Sequence, residues 1–447
     1  MHKTYKIIIF GCQMNHSDAE RMATVLENCG LAEAKTEAVA DLVVIYSCSV
    51  RQMAEDRTYG KIMKLARMKK RPRILATGCM VSDKIWRKLL RKNRFDLCLP
   101  IDRMIDFPKY LKKWGLIDAM PKDKFDHYLD IIPKNKQNFS AYIPIMTGCD
   151  NFCSYCAVPY TRGREVSRPM ADIVAEAKQL AENGCIELTL LGQNVNSYAP
   201  QIQKAKSKKQ SHNLKPGNVR KNSFVDLLEA ISDIKQLKRI YFISSHPKDM
   251  SDELIKLVGE RENLANYIHL PIQSGDDEIL RAMNRHYTRA DYMKLIEKIR
   301  RHIPGAAIVT DVIVGFPGET DEQFDNTCRV FDKVGYDMAF IAEYSPRPKT
   351  AAAKLEDDVP RSVKKRRKKI LNDDYLMKSA LANNEKLVGQ TVMVLFHRKN
   401  KGEYIGYTEG MKQVHVKSDV NIIGQLLPVK ITQALKWGLE GKIVKNL

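Results

Sequence analysis

The sequence predicts an α/β protein in three parts: an amino-terminal parallel-sheet domain over residues 1–118, a partial (β/α)6 barrel over 139–372 and a small β-barrel over 378–447. Three observations carry this expectation. Short apolar runs alternate with longer helical patterns twice along the chain, as parallel sheets require. A polar, proline-bearing stretch at 119–138 separates the two alternations and reads as a linker. Beyond Gln390 the pattern changes to short β segments with Gly at the turns, which suits a small closed barrel.

In the first part, Lys6–Phe10, Leu42–Tyr46 and Arg73–Thr77 have the length of buried strands, and helical patterns such as Asp18–Cys29 and Met53–Lys70 follow. In the second part, strands are expected at Tyr142–Met146, Glu187–Leu191, Ile240–Ile243, Tyr267–Ile272, Ile308–Val314 and Met338–Glu343. Barrels of this kind collect functional groups at the carboxyl ends of their strands. A basic insert, Gln201–Lys221, holds seven Lys/Arg and no acid, and reads as a solvated loop or as an RNA contact. A second basic run, Arg361–Lys369, opens a helical stretch that ends near Gly389. In the third part, β segments fall at Thr391–Phe396, Tyr404–Tyr407, Val414–Val416 and Val429–Gln433.

Of 447 residues, 74 are Lys or Arg and 53 Asp or Glu, a net charge of +21, while 44% are hydrophobic. That balance excludes a disordered chain, and the positive excess points to a polyanionic partner such as nucleic acid. No apolar run approaches the roughly 18–20 residues that span a bilayer. The amino terminus lacks a cleavage pattern, so a cytoplasmic monomer without membrane contact is expected.

Ten cysteines in such a compartment should be reduced, which turns their use toward metal ligation or catalysis. Cys149, Cys153 and Cys156 lie in GCDNFCSYC, directly after a strand. Three thiolates on one tight loop can hold three irons of a 4Fe-4S cluster and leave the fourth open to a substrate or cofactor. Zinc is the alternative, although it prefers four ligands and paired C-x2-C spacing. Cys12, Cys48 and Cys79 each follow a strand, and parallel strands place their carboxyl ends along one sheet edge, so these thiols can converge on a second cluster. Three inert core cysteines are the alternative there; Cys29, Cys98, Cys185 and Cys328, which lack partner spacing, read as small core residues.

GCDNFCSYC followed by AVPYTRGREVSRP, LTLLGQNVNSY, IHLPIQSGDDEIL, MNRHYTR, DVIVGFPGET and YSPRP resembles the tRNA methylthiotransferase family of radical S-adenosylmethionine enzymes, in its methylthio-dimethylallyladenosine branch. GCQMNHSD, SCSVRQMAEDR and GCM look like that family's amino-terminal domain, and the β-rich tail resembles its TRAM domain. The chain departs from the usual pattern at Tyr46-Ser47, at Met80-Val81-Ser82, at Tyr407 and at Met411, where Asn is frequent.

The resemblance implies two 4Fe-4S clusters: one on Cys149, Cys153 and Cys156 that cleaves S-adenosylmethionine, and an auxiliary one on Cys12, Cys48 and Cys79 that holds or supplies sulfur. Gln193, Ser274 and Gly275 are expected in the cofactor pocket. The implied reaction adds a methylthio group to C2 of isopentenyl-modified adenosine at position 37 of tRNA, beside the anticodon. A C2–H bond offers no route to acid/base chemistry, which is why a cofactor-derived radical is needed. A single-stranded anticodon loop can splay its base into a pocket. An external flavodoxin- or ferredoxin-type reductant and a sulfur donor are further implied. Competing readings are a threonylcarbamoyl-adenosine tRNA methylthiotransferase, a ribosomal-protein aspartate methylthiotransferase, and a non-enzymatic iron-sulfur RNA-binding regulator.

Overall fold

The computed structural model describes residues 3–48, 52–79, 94–122, 125, 127–133, 138–200 and 223–444. The basic insert at 201–221 and Met80-Val81-Ser82 lie outside the described residues. The first domain is a parallel sheet in the order β2-β1-β3-β4-β5, built from β1 (Thr4–Phe10), β2 (Ala32–Glu33), β3 (Leu42–Ser47), β4 (Arg73–Gly78) and β5 (Leu97–Cys98). β3 is buried along its whole length, as its run of apolar and β-branched residues demands of a central strand. The register pairs Phe10 with Ser47 and Ser47 with Gly78, so β1, β3 and β4 end level. Helix α1 (Gln13–Asn28) starts immediately after Cys12, its N-cap, and packs Met22, Val25 and Leu26 into the core.

Part of the stretch read as a linker belongs to this domain. Tyr128, Leu129 and Ile131 are buried in its core around a 3-10 turn at Tyr128–Asp130. Three apolar side chains among prolines and charges carry no helical or strand period, which is why the sequence shows no element there.

The second unit has six parallel strands: β6 (Ser140–Pro144), β9 (Glu187–Leu191), β10 (Arg239–Ile243), β11 (Tyr267–His269), β12 (Ala307–Val314) and β13 (Met338–Glu343). They form two sheets, β10-β9-β6 and β11-β12-β13, joined by a bridge between Ile240 and Leu264. Two expected strands are shorter than the sequence suggests. β11 stops at His269 because Pro271 has no N–H to continue the ladder. The run Tyr142–Met146 divides after Pro144, where the chain leaves the barrel to form the antiparallel pair β7 (Met146–Thr147) and β8 (Val166–Ser167).

The tail closes into a barrel ordered β14-β15-β16-β18-β17, from β14 (Thr391–Asn400), β15 (Glu403–Tyr407), β16 (Gln413–Val416), β17 (Leu426–Leu435) and β18 (Gly438–Ile443). The fifth strand, GLEGKI, is hidden in the sequence by its two glycines. A Cβ on Gly441 would lie 2.5 Å from the Val429 side chain, so the barrel needs glycine there.

This barrel docks on the amino ends of the central strands. Arg239 donates to Tyr407 O at 2.7 Å and Met393 O at 2.6 Å, His397 contacts Glu187 at 2.9 Å, and Lys412 pairs with Asp337 at 2.6 Å. The carboxyl ends therefore stay clear of the tail. Among the described residues no helix is long and apolar enough to cross a membrane.

Candidate iron-sulfur sites at two sets of strand ends

The pair β7–β8 pins the base of a loop that carries Cys149, Cys153 and Cys156. Gly148 opens the loop at φ +76°, and a Cβ there would sit 2.0 Å from Arg164 O, which no side chain tolerates. Its N–H donates to Gln193 Oε1 at 3.0 Å, so this residue from the end of β9 holds the cysteine loop directly. Phe152 adopts φ +46°, a strained conformation for an aromatic residue, and Asn284 Nδ2 fixes it by donating to Phe152 O at 3.0 Å. Ser154 ties the loop to the next wall through its N–H to Met283 O and its hydroxyl to Ala282 O, at 3.0 and 2.7 Å.

Cys149 and Cys153 are buried. Burial raises the Cys149 thiol and pushes Cys156 up to about 12. Crowded sulfurs of this kind become thiolates only when a cation or cluster compensates their charge. Two donors already face them: Asn151 Nδ2 approaches Cys149 Sγ, and Arg285 Nη1 approaches Cys153 Sγ, both at 3.5 Å. Arg285 is itself held by Pro271 O and the Tyr287 hydroxyl, at 3.0 and 2.9 Å.

The barrel mouth around this loop is polar and strained. Ser244 and Gln273 sit just past β10 and β11 with φ of 71° and 70°. His269 accepts the Ser244 N–H on Nδ1 at 3.2 Å, leaving Nε2 to donate to Asp311 at 3.1 Å. Glu165 accepts the Ser197 hydroxyl at 2.9 Å, and burial lifts its carboxyl to about 7. His246 is buried, accepts the Lys248 N–H on Nδ1 at 3.3 Å, and is pushed down to about 2 by burial and the nearby Arg285 charge. It is a neutral, packed histidine.

Ser274 and Gly275 lie one layer back. Ser274 is fully buried and its hydroxyl accepts the Asp276 N–H at 3.3 Å. Gly275 N–H donates to Thr327 Oγ1 at 2.9 Å, and a Cβ would meet Thr327 Cα at 2.6 Å, so both residues seat the loop on the helix Asp321–Val334. Gln193 is joined to the cysteine loop, and these two are not.

The level ends of β1, β3 and β4 bring the other cysteines together. Cys48 N–H bonds Phe10 O and Cys79 N–H bonds Ser47 O, each at 3.0 Å, which continues the ladder past the strands. Gly78, at φ +99°, lets this happen: a Cβ would lie 2.5 Å from Ser47 O. Cys12 and Cys48 are hydrogen-bonded through their sulfurs, which lowers the Cys12 thiol to about 6. Burial raises Cys79.

Arg162, from the central unit, enters this site. It follows the short helix Val158–Thr161 and donates to Cys79 Sγ at 3.1 Å, Asp18 Oδ2 at 2.7 Å and Asn15 Oδ1 at 3.2 Å. A cavity of about 270 Å³ opens beside it, lined by Gly78, Cys79, Asp102, Tyr160, Arg162 and Gly163. Arg162 Nη1, and Nδ2 of the Asn15 that Arg162 bonds, are buried without a protein acceptor. Unsatisfied donors beside three thiols fit a cluster, whose sulfides accept such bonds. Among the described residues no three His, Cys, Asp or Glu side chains gather about one ion-sized point. Thiolates on three different corners of a cluster do not need to.

Arg162, Arg285, Glu165, His269 and Asp311 were not singled out by sequence reasoning. Arg162 and Glu165 stand in TRGRE, a run that identifies the family without disclosing which of its charges turn inward.

Comparison with known proteins agrees with this architecture. Residues 143–331 match the Radical SAM superfamily, residues 4–99 the Uncharacterized protein family UPF0004, and residues 385–444 the TRAM domain. Over 99% of its length the chain is 40% identical to the tRNA-2-methylthio-N(6)-dimethylallyladenosine synthase of Dictyoglomus thermophilum, covering 99% of that protein. It is 38% identical to the protein of the same name from Clostridium tetani, covering 96% of it. Among solved structures, the radical S-adenosylmethionine methyltransferase TsrM from Kitasatospora setae superposes with a TM-score of 0.55 over 79% of this chain and 74% of that one. At 14% identity that likeness is one of fold. Motifs, three domains in order and full-length relatives together place the chain in the tRNA methylthiotransferase family of radical S-adenosylmethionine enzymes, within the branch of the tRNA-2-methylthio-N(6)-dimethylallyladenosine synthases.

Proposed function

We propose that the chain adds a methylthio group to C2 of isopentenyl-modified adenosine in tRNA, next to the anticodon. The observation that carries this reading is the pairing of two three-cysteine sites at strand carboxyl ends, linked through Arg162. A cluster on Cys149, Cys153 and Cys156, once loaded with S-adenosylmethionine, would supply the radical that a C2–H bond requires. Cys12, Cys48 and Cys79 would hold a second 4Fe-4S cluster as the place where sulfur is kept.

The protein's own part is positioning. Gln193 and Ser154 fix the cysteine loop, and Arg285 sets a guanidinium against the Cys153 sulfur. Ser274 and Gly275 would shape the cofactor wall through the loop they seat. Asn194 donates to Asp249 at 2.7 Å and, with Glu165, Ser197 and His269, gives the mouth the polar edges that a splayed purine can bond. The tail barrel offers a basic surface to the RNA, with nine Lys/Arg against four Asp/Glu from Gln390 to Leu447. An external flavodoxin- or ferredoxin-type reductant, a sulfur donor, and a cytoplasmic, monomeric state complete the reading.

Mass spectrometry of tRNA nucleosides from a strain lacking the chain tests it. The methylthio form of isopentenyladenosine should disappear and the unthiolated form accumulate. Loss of a methylthio mark from threonylcarbamoyl-adenosine instead would reassign the substrate. The Cys12, Cys48 and Cys79 triple Ala variant should cleave S-adenosylmethionine yet form no methylthio product, and unaltered product formation would make these cysteines mere core.

A further inference from the structure

We propose that the helix Arg361–Ile370 is an RNA-backbone contact outside the tail barrel, which guides the substrate's phosphates between that barrel and the barrel mouth. The proposal rests on the tRNA reading above. The helix carries seven Lys/Arg and no acid. Four of the seven are engaged by the protein. Lys364 is buried against Tyr344 O and Asp357, and Arg367 is buried against Glu319 and Asp321, both at 2.8 Å. Arg366 reaches Asp321 at 3.5 Å and Lys368 reaches Glu343 at 3.9 Å.

The two buried cations fix the rotation of the helix. The remaining three, Arg361, Lys365 and Lys369, are exposed, and among the described residues their side chains form no ion pair or hydrogen bond. Spaced four residues apart, they make a single stripe with about 6 Å of rise between neighbours. Like charges at this spacing repel. Arg361 also occupies a first turn, where the helices Asp252–Glu260 and Asp321–Val334 place acids to suit the dipole. The fold thus keeps a repulsion that a polyanion relieves.

The placement of the stripe matches a path for RNA. The helix begins beside the mouth: Asp358 accepts the Gly318 N–H at 2.8 Å in the loop after β12, and Ala352 N–H bonds Ser154 O of the cysteine loop at 2.8 Å. The helical run then continues through the π turn Leu371–Leu376 into Met377–Glu385, where Asn384 meets Lys412 and Leu435 O of the tail barrel, each at 2.9 Å. The dense basic run ends at Lys369, Asp373 and Asp374 follow, and Lys378 is the one basic residue from there to Glu385, so the patch belongs to the mouth-side half. A membrane-lying helix would expose its apolar residues, whereas Val363 and Ile370 are half-buried here.

The test compares the reconstituted wild-type chain with a triple variant, Arg361→Gln, Lys365→Gln, Lys369→Gln, in binding a tRNA anticodon stem-loop across a salt series. The log-log salt slope should flatten by about two, and affinity at low salt should fall by about tenfold or more. Iron content and RNA-free S-adenosylmethionine cleavage should match wild type. The charge-preserving exchange Arg361→Lys, Lys365→Arg, Lys369→Arg should restore both slope and affinity. Wild-type binding and slope in the Gln variant would overturn the proposal while leaving the tRNA reading intact. Absence of salt-dependent binding in the wild-type chain would overturn both. Loss of binding to anionic lipid vesicles, with RNA binding unchanged, would assign the stripe to membranes and overturn it as well.

Discussion

Arg162 Nε donates to the Cys79 sulfur at 3.1 Å, across the boundary between two domains. The same guanidinium pairs with Asp18 at 2.7 Å, and both side chains are almost fully buried. Arg162 stands six residues beyond Cys156, so one short helix connects the two cysteine sites mechanically. A second buried link, Glu176 between Arg21 at 3.3 Å and Arg168 at 2.7 Å, reinforces the same boundary. Buried charge pairs thus cross the domain boundary beside Cys79.

The first prediction follows from that contact. Arg162→Gln leaves Asp18 buried without a cation, which costs about 3–5 kcal/mol and should lower the unfolding temperature. If Cys12, Cys48 and Cys79 carry a second cluster, the change also removes a positive donor from one of its thiolates, so that cluster's reduction potential should move to lower values while that of the Cys149 site stays put. Arg162→Lys keeps the charge but not the fork and should fall between. Unfolding curves and EPR-monitored redox titrations read both quantities, and an unmoved potential with unmoved stability would remove Arg162 from this role.

A second prediction concerns cluster content. Anaerobic reconstitution should give about eight irons per chain if both cysteine sets carry 4Fe-4S clusters. Replacing Cys149, Cys153 and Cys156 together by Ala should halve the iron and abolish S-adenosylmethionine cleavage. Cleavage that survives the triple replacement would place the open iron elsewhere.

The two cysteine sets were legible in the sequence for different reasons. Cys149, Cys153 and Cys156 declare themselves by local spacing, while Cys12, Cys48 and Cys79 can be grouped only because parallel strands end on one edge. What the sequence could not disclose is long-range. Arg162 reaches Cys79 across 83 positions, and no period or spacing marks a partner that distant. The buried turn at Tyr128 and the glycine-broken strand β18 are likewise set by tertiary packing, which overrides weak local preference. Ser274 and Gly275 show the reverse limit: they stand at a polar, Gly-bearing strand end, and the hydrogen bonds they make seat their own loop.

Glu165 gives a prediction in pH. Its carboxyl rises from an ordinary 4.5 to about 7, chiefly through burial. Between those values the folded chain holds a proton that the unfolded chain has released, so this group makes stability fall as pH climbs from 4.5 to about 7. Glu165→Gln keeps the shape without the titration. The variant should match wild type near pH 5 and become relatively more stable by pH 8, measured by thermal unfolding of the reconstituted protein without S-adenosylmethionine. A constant difference across that range would show that Glu165 does not titrate in the window.

The last prediction concerns Met411, where the family resemblance leads one to expect Asn. Met411 closes the turn between β15 and β16, with its N–H on Thr408 O at 3.0 Å, and its φ is +57°. That left-handed conformation brings Cβ against the following carbonyl and disfavours ordinary side chains, whereas Asn relieves it through local hydrogen bonding. An Asn at this position, as the family resemblance leads one to expect, would thus have a backbone reason that needs no RNA contact. Met411→Asn should stabilise the tail barrel by about 1 kcal/mol. The gain should appear as a higher unfolding temperature with unchanged iron content. If tRNA affinity rises while stability stays flat, an Asn here acts as an RNA contact instead, and the strain at Met411 is absorbed by the turn.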